Sequence, residues 1–324
     1  MITSDLYKQV LLEPYQNGAN QLFIVSGYAS AAMISRHLAE TDPDNPIKLE
    51  IIIGMASWDG VSLSDHQGFQ ELSEKFQGGF ICRYHHGRHP VHAKLYAWYC
   101  DEMPMQGFLG SANYTQRGFG KAQQEAFISC SASAIRDYYL NLVEESILCT
   151  DSQADGLIDF YVKSSKGGQL PLQIREKGQY EVDYDLTGLE HIRVSFLTRE
   201  NDSKIPQRSG LNWGQRPGRE PNQAYIPLPA EVYNSGFFPP IGEHFALITD
   251  DGETIFCTRA QQHGKAIHTP ENNSILGKYF RRRIGLPEGS LVSLEDLQQY
   301  GRTDVDIYKI DEESYYLDFS ASAK

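Results

Sequence analysis

Residues 91–115 read VHAKLYAWYCDEMPMQGFLGSANYT and hold four side chains suited to an anionic ligand, namely His92, Lys94, Ser111 and Asn113. Residues two apart in a strand point to the same face. His92 and Lys94 share a side if their strand continues through LYAWY, and so do Ser111 and Asn113 if GFLGSANYT is a second strand. Laid next to each other, such strands bring an imidazole, an ammonium, a hydroxyl and an amide into one pocket. Glu125 follows on the next predicted strand, QEAFISC. A carboxylate beside a histidine holds the ring in one tautomer and orientation. Taken singly, HAK reads as a solvated strand face and GSAN as a turn, but their succession points to chemistry. An imidazole of ordinary pKa ~6.5 is largely neutral near pH 7. Lys94, Ser111 and Asn113 would supply hydrogen-bond donors to an anion held there.

The elements around these residues predict a layered domain. QLFIVSGYAS reads as a strand ending in a Gly-containing turn, AAMISRHLAE as a helix, IKLEIIIGM as a buried strand and DHQGFQELSEKF as another helix. GGFICRYHH adds a strand before the HAK segment, and SAIRDYYLNLVEESILC reads as one long amphipathic helix after it. Strands alternating with helices imply an α/β domain over 1–165. The polar, Gly-containing stretch KSSKGGQLPLQ predicts a linker over 166–175. From 176 to 324 the patterns are short strands between turns, with TDDGET as a hairpin turn and only SILGKYFRRRIG and SLEDLQQYG helical. This predicts a mostly β domain, a small barrel or open barrel.

The pairing of HAK with GSAN resembles the mark of the phospholipase D superfamily, H-x-K followed by G-S-x-N. That resemblance implies an α/β/α sandwich with a mixed sheet, and a phosphodiester-cleaving site that needs no metal cofactor. There His92 would attack phosphorus and form a covalent phosphohistidine, which divides a hard displacement into two easier steps, while Lys94 and Asn113 would hold the non-bridging oxygens and Glu125 would orient the histidine. Many members carry an aspartate shortly after the lysine. Here LYAWY occupies that place and the first acid is Asp101, which fits the nuclease branch better than a lipase. The motif occurs once. Members build their centre from two H-x-K units, so the resemblance implies a homodimer through the N-terminal domain, with one shared centre cutting two DNA strands in turn. His85, His86 and His89 in YHHGRHP lack a fitting carboxylate or cysteine spacing and read as a solvated or substrate-facing loop. Arg83 and Arg88 in that stretch suit either a phosphate backbone or plain surface charge.

In the second half, QRSGLNWGQRPGREPNQAYIPLP is a long polar segment between two strand patterns. Long loops inside compact domains are uncommon and usually functional. Arg208, Asn212, Trp213, Gln215, Arg216, Arg219, Asn222 and Gln223 lie in it. Arginine suits guanine edges, and asparagine or glutamine suits adenine. A second cluster, HGKAIHTPENNSILGKYFRRRIG, offers Lys265, His268, Asn272, Asn273, Lys278, Arg281, Arg282 and Arg283. The plain alternative is a polar surface loop and a helix with one charged face. This half resembles the B3-like DNA-recognition domains of bacterial restriction endonucleases, open β-barrels of seven strands that grip DNA with two arms. The 208–223 and 265–283 segments would be those arms.

Bulk properties narrow the choice. The net charge of −13 over 324 residues argues against a protein that coats nucleic acid by diffuse electrostatics, but permits local positive charge. The five cysteines are scattered and lack C-x-x-C spacing, and no secretory or membrane-spanning pattern is seen, which predicts a cytoplasmic chain with reduced thiols. The expected function is a site-specific, metal-independent DNA endonuclease, the type II-like cleavage subunit of a restriction system acting on double-stranded DNA. The resemblance leaves open a separate ATPase or helicase-like subunit. Rival readings are a phospholipase D-like phosphodiesterase of a non-DNA substrate, and a catalytically silent DNA-binding protein.

Overall fold

QLFIVS and KLEIII form β1 (Gln21–Ser26) and β2 (Lys48–Ile53), parallel neighbours with Ile24 opposite Ile51. Helices cover both faces of this pair, so the apolar pattern is nearly continuous rather than alternating. The computed structural model describes residues 1–120, 123–163, 169–171, 184–198 and 204–321. The chain divides into two units, Met1–Asp185 and Leu186–Lys324.

The other strands of the first unit are β3 (Val61–Ser62), β4 (Phe80–His85), β5 (Lys94–Cys100), β6 (Met103–Gly110), β7 (Phe127–Cys130), β8 (Ser146–Leu148), β9 (Phe160–Lys163) and β10 (Gln169–Pro171). The main sheet has the order β7-β6-β5-β1-β2-β4-β8, with β1, β2 and β4 parallel and the flanking strands antiparallel. It is a mixed sheet. β3, β9 and β10 form a small separate one. The helix Ala132–Val143 lays Ile135, Tyr139 and Leu142 over Phe23, Val25, Ala97 and Tyr99. Alternate residues face the other side. There Trp98 packs against His37 of the helix Ala31–Ala39, and its indole N–H donates to the Val10 carbonyl at 2.8 Å.

Three expectations change. The strand carrying the HAK motif begins at Lys94, so His92 lies in the preceding loop. The GSAN strand begins earlier, at Met103, and ends at Gly110, so Ser111 and Asn113 also lie beyond the strand. The predicted long helix stops at Val143, and Ser146–Leu148 becomes β8, pairing Ile147 with Tyr84. A short apolar run does not itself distinguish a helix end from an edge strand. The stretch predicted as a linker is described only at Gln169–Pro171, which pairs antiparallel with β9. The remainder of 166–175 lies outside the described residues.

The second unit contains β11 (His191–Ser195), β12 (Ile226–Pro227), β13 (His244–Thr249), β14 (Thr254–Ala260), β15 (Ala266–His268), β16 (Asp304–Lys309) and β17 (Ser314–Asp318). They form one sheet of order β11-β16-β17-β13-β14-β15-β12, whose two edge strands approach each other in a nearly closed barrel. Phe245, Leu247, Ile307, Tyr315 and Leu317 fill it from the strands, and Leu276 and Phe280 from the helix Ser274–Ile284. The helix Leu294–Tyr300 starts with a reciprocal cap between Ser293 and Asp296 and stops at Gly301, whose φ of 102° suits only a residue without a side chain. Among the described residues, no helix is long and apolar enough to cross a membrane.

Candidate functional site

The carboxyl ends of β1 and β2 each run into a glycine, and both glycines shape the site. A side chain at Gly54 would overlap the Val91 carbonyl oxygen and stand 2.7 Å from Val91 Cβ. That close approach lets the Val91 N–H donate to the Gly54 carbonyl at 3.0 Å, fixing the loop that carries His92. At Gly27, an added Cβ would meet His92 Cδ2 at 2.9 Å and Asn113 Oδ1 at 3.2 Å. The imidazole and the amide, 21 residues apart in sequence, therefore converge over a bare stretch of backbone. The His92 ring is exposed and packs edge-on against Tyr28, with ring centres 5.9 Å apart.

Each remaining group is held by named partners. Asn113 Oδ1 accepts from the Tyr28 N–H at 3.2 Å and from Ser26 Oγ at 3.5 Å, so the amide NH2 is the part left to meet a ligand. Tyr96 Oη donates to the Ala112 carbonyl at 2.9 Å, which anchors the residue between Ser111 and Asn113. A side chain at Gly110 would overlap the Phe127 ring, which accounts for the glycine of GSAN. Ser111 Oγ donates to Glu125 and accepts from the Ala126 N–H at 3.1 Å. Lys94 is only 7% exposed, and its ammonium donates to the His92 carbonyl at 2.9 Å. Burial holds its pKa below the ordinary lysine value, and the Glu125 carboxylate opposes that shift. Glu125 thus touches Ser111 and acts electrostatically on Lys94. Among the described residues it makes no hydrogen bond to the His92 ring.

Sequence reasoning missed Gly27, Gly54 and Tyr28. The available signal was that two apolar strands each end in glycine, as VSG and IIG. Asp101 sits at the far end of β5 in the turn to β6, accepting from Asn20 Nδ2 at 2.8 Å, remote from Lys94 along the strand. His85 is buried, with Nε2 at 3.0 Å from the His89 carbonyl, while His86 is half-buried and His89 exposed. Arg83 has a buried Nε and Arg88 is exposed. Among the described residues, no group of three or more His, Cys, Asp or Glu side chains is placed to hold a metal.

The second unit sorts the predicted DNA contacts into two sets. Several are occupied inside the domain. Asn212 is fully buried, exchanging hydrogen bonds of 2.8 Å with both backbone groups of Val292. Asn222 is buried and accepts from the Gly289 N–H at 2.6 Å, and Gln215 donates to the Pro221 and Gly289 carbonyls. Arg281 is 0% exposed and donates to the carbonyls of Ser290, Gly277, Leu211 and Pro221. Arg283 grips both oxygens of Asp250 at 2.6 and 2.7 Å. Expected to face DNA, these five instead satisfy the polar groups of a folded loop and helix, because buried backbone must find partners.

The others lie at the surface or near it. Arg208, Arg216, Arg219, Lys265, Asn272, Lys278 and Arg282 are exposed, and Trp213, Gln223 and Asn273 are half-buried. Lys278 pairs with Glu288 at 2.8 Å, and Arg282 with Asp251 and Glu253, both at 2.8 Å. Arg216 Nε donates to the Arg208 carbonyl at 2.7 Å. Asn272 Oδ1 accepts from the Ser274 N–H at 3.0 Å, while the Asn273 carbonyl accepts from the Ala224 N–H at 3.0 Å. His268 is buried behind Trp213, and burial lowers its pKa.

Comparison with known proteins decides the family. Residues 4–156 match the N-terminal phospholipase D domain of the NgoFVII restriction endonuclease family, and residues 186–311 match that family's C-terminal B3-like DNA-binding domain. The chain belongs to this family. Its first unit is thus a phospholipase D-like nuclease domain and its second a B3-like DNA-binding domain. Among solved structures it is similar to the phospholipase D family member Nuc from Salmonella typhimurium, at 14% identity over 43% of this chain and 87% of that one, with a TM-score of 0.33. NucT from Helicobacter pylori is similar at 15% identity over 43% and 87% of the two chains, with a TM-score of 0.30. No curated protein matches the chain.

Proposed function

We propose that this NgoFVII-family chain is a site-specific DNA endonuclease, the type II-like cleavage subunit of a restriction system, which cuts phosphodiesters through a covalent phosphohistidine without a metal. The observation that carries this reading is the meeting of His92 and Asn113 over Gly27, beside the buried Lys94 ammonium. A His92 ring nitrogen attacks phosphorus and the P–O bond to the leaving oxygen breaks, that oxygen taking a proton. Water then attacks the phosphohistidine, gives up a proton, and returns the imidazole. Lys94 and the Asn113 NH2 stabilise charge on the non-bridging oxygens in both steps. Glu125 keeps Ser111 in place and favours the charged form of Lys94.

The leaving oxygen needs an acid. Tyr28, edge-on to His92, is poorly suited, because burial, followed by the hydrogen bond it donates to Asp59, pushes its pKa up to about 12. A second copy of the chain supplies an equivalent imidazole if the protein dimerises through this domain. Support comes from Leu109, directly before the GSAN segment, and its cross-strand partner Ile128 on β7, which are 42% and 49% exposed. Such paired apolar exposure at a sheet edge suits an interface.

The reading is tested by incubating mixed-sequence duplex DNA with the full chain in EDTA, with and without any ATPase encoded beside it. Discrete fragments are expected. A smear would remove site specificity, and cleavage restored only by added divalent metal would remove the metal-free mechanism.

Two further outcomes follow from the geometry. Gly54→Ala is expected to lower kcat by about 10²-fold, since a shift near 1 Å in the His92 loop spoils in-line attack. Single-turnover cleavage measures this, and a rate within threefold of wild type would mean the loop relaxes freely. Glu125→Gln removes the charge that opposes Lys94 desolvation, so Lys94 loses its proton at lower pH. The alkaline limb of kcat/KM should therefore move to lower pH in the residual activity. A limb that stays or moves upward would show that activity does not follow the Lys94 charge.

A further inference from the structure

The exposed arginines of the 208–223 segment are not equivalent. Arg219 follows a turn in which its N–H donates to the Arg216 carbonyl at 3.2 Å and Gly218 has φ 79°. Its guanidinium sits over Trp213, with Cζ 3.8 Å from the ring centre. Trp213 is itself wedged, edge-on, against Tyr225 and His268, at 5.5 and 5.1 Å between ring centres. Arg219 Nη1 donates to Gln223 Oε1 at 2.8 Å. Gln223 is fixed in turn, its N–H donating to the Glu220 carbonyl at 3.0 Å and its carbonyl accepting from the Gly214 N–H at 2.7 Å. Among the described residues Arg219 has no carboxylate partner, unlike Lys278, Arg282 and Arg283.

We infer that Arg219, Trp213 and Gln223 form one preassembled unit that reads a guanine in the DNA major groove. This rests on the site-specific reading proposed above, in which the second unit selects the DNA site. With one lone pair of Gln223 Oε1 taken by Arg219, the unit presents mainly donors: the remaining guanidinium N–H groups and the Gln223 amide NH2. A guanine edge offers two acceptors, N7 and O6, whereas adenine sets a donor beside its acceptor and cytosine offers a donor. Stacking on Trp213 holds the fork in place before DNA arrives, so little side-chain freedom is lost on contact.

The test uses the full chain carrying His92→Ala, so that bound DNA stays intact, and selects binding sites from randomised duplexes. With Arg219→Ala added, affinity for the selected site should fall roughly 5- to 150-fold, and one G·C position should become degenerate while the others keep their preference. Arg219→Lys should behave like Arg219→Ala, because an ammonium neither forks nor stacks in the same way. Trp213→Phe should weaken the same position less. A uniform loss over all sequences, a shallower salt dependence and rescue by lysine would make Arg219 a phosphate contact and overturn the inference. If the parent protein enriches no sequence at all, the DNA-selecting role fails first and this inference with it, an outcome distinct from enrichment that ignores Arg219.

Discussion

Replacing His92 with alanine is expected to stop DNA cleavage, a loss of roughly 10⁴-fold or more, while leaving fold and DNA affinity nearly intact. The size of the effect follows from its role, since removing a nucleophile removes the covalent path rather than one stabilising contact. The mildness elsewhere follows from its place. The ring is exposed and makes one edge contact with Tyr28. Lys94 is held by the His92 backbone carbonyl, which the substitution keeps. Gly27 and Asn113 lose a neighbour but no hydrogen bond. The measurement is single-turnover nicking of plasmid DNA, run beside thermal unfolding and filter binding. His92→Asn serves as a near-isosteric control and should be as inactive. Residual cleavage within tenfold of wild type, by folded protein, would remove His92 as the nucleophile.

How much of this was legible depends on whether the signal was local. HAK and GSAN stand 16 residues apart and are joined by a hairpin, so their proximity could be read from two apolar runs. Gly27 and Gly54 could not be assigned to the site this way. Gly27 meets His92, and Gly54 meets Val91 beside it, only because β1 lies between β2 and β5, an order the sequence does not state. The seven-stranded barrel was implied by resemblance, and its strands were visible as short apolar runs between turns. The arms were the least legible part. Asn212, Gln215 and Asn222 are polar in a polar loop whether they face DNA or hold Val292 and Gly289. A long loop folded upon itself must satisfy its own backbone, and composition does not separate that duty from recognition.

The arginine run shows the same ambiguity most sharply, and it leads to the second large effect. Arg281, Arg282 and Arg283 are consecutive, yet a helix turns successive side chains to different sides. Arg281→Met is expected to destabilise the second unit by roughly 3–5 kcal/mol, because four carbonyls lose a buried donor. In a unit of this size that lowers Tm by on the order of 10–20 °C. Arg282→Ala, on the exposed side with Asp251 and Glu253, should change stability by less than about 1 kcal/mol. Arg283→Met should fall nearer Arg281, since it breaks a forked pair with Asp250 that is 11% exposed on each side. Thermal unfolding of the three variants, paired with DNA binding well below each Tm, separates the roles. An Arg281→Met protein that melts with the wild type but binds DNA poorly would make the residue a DNA ligand. That result would require its side chain to leave the interior on binding, and with it the Asn222–Gly289 contacts that close the arm beneath it.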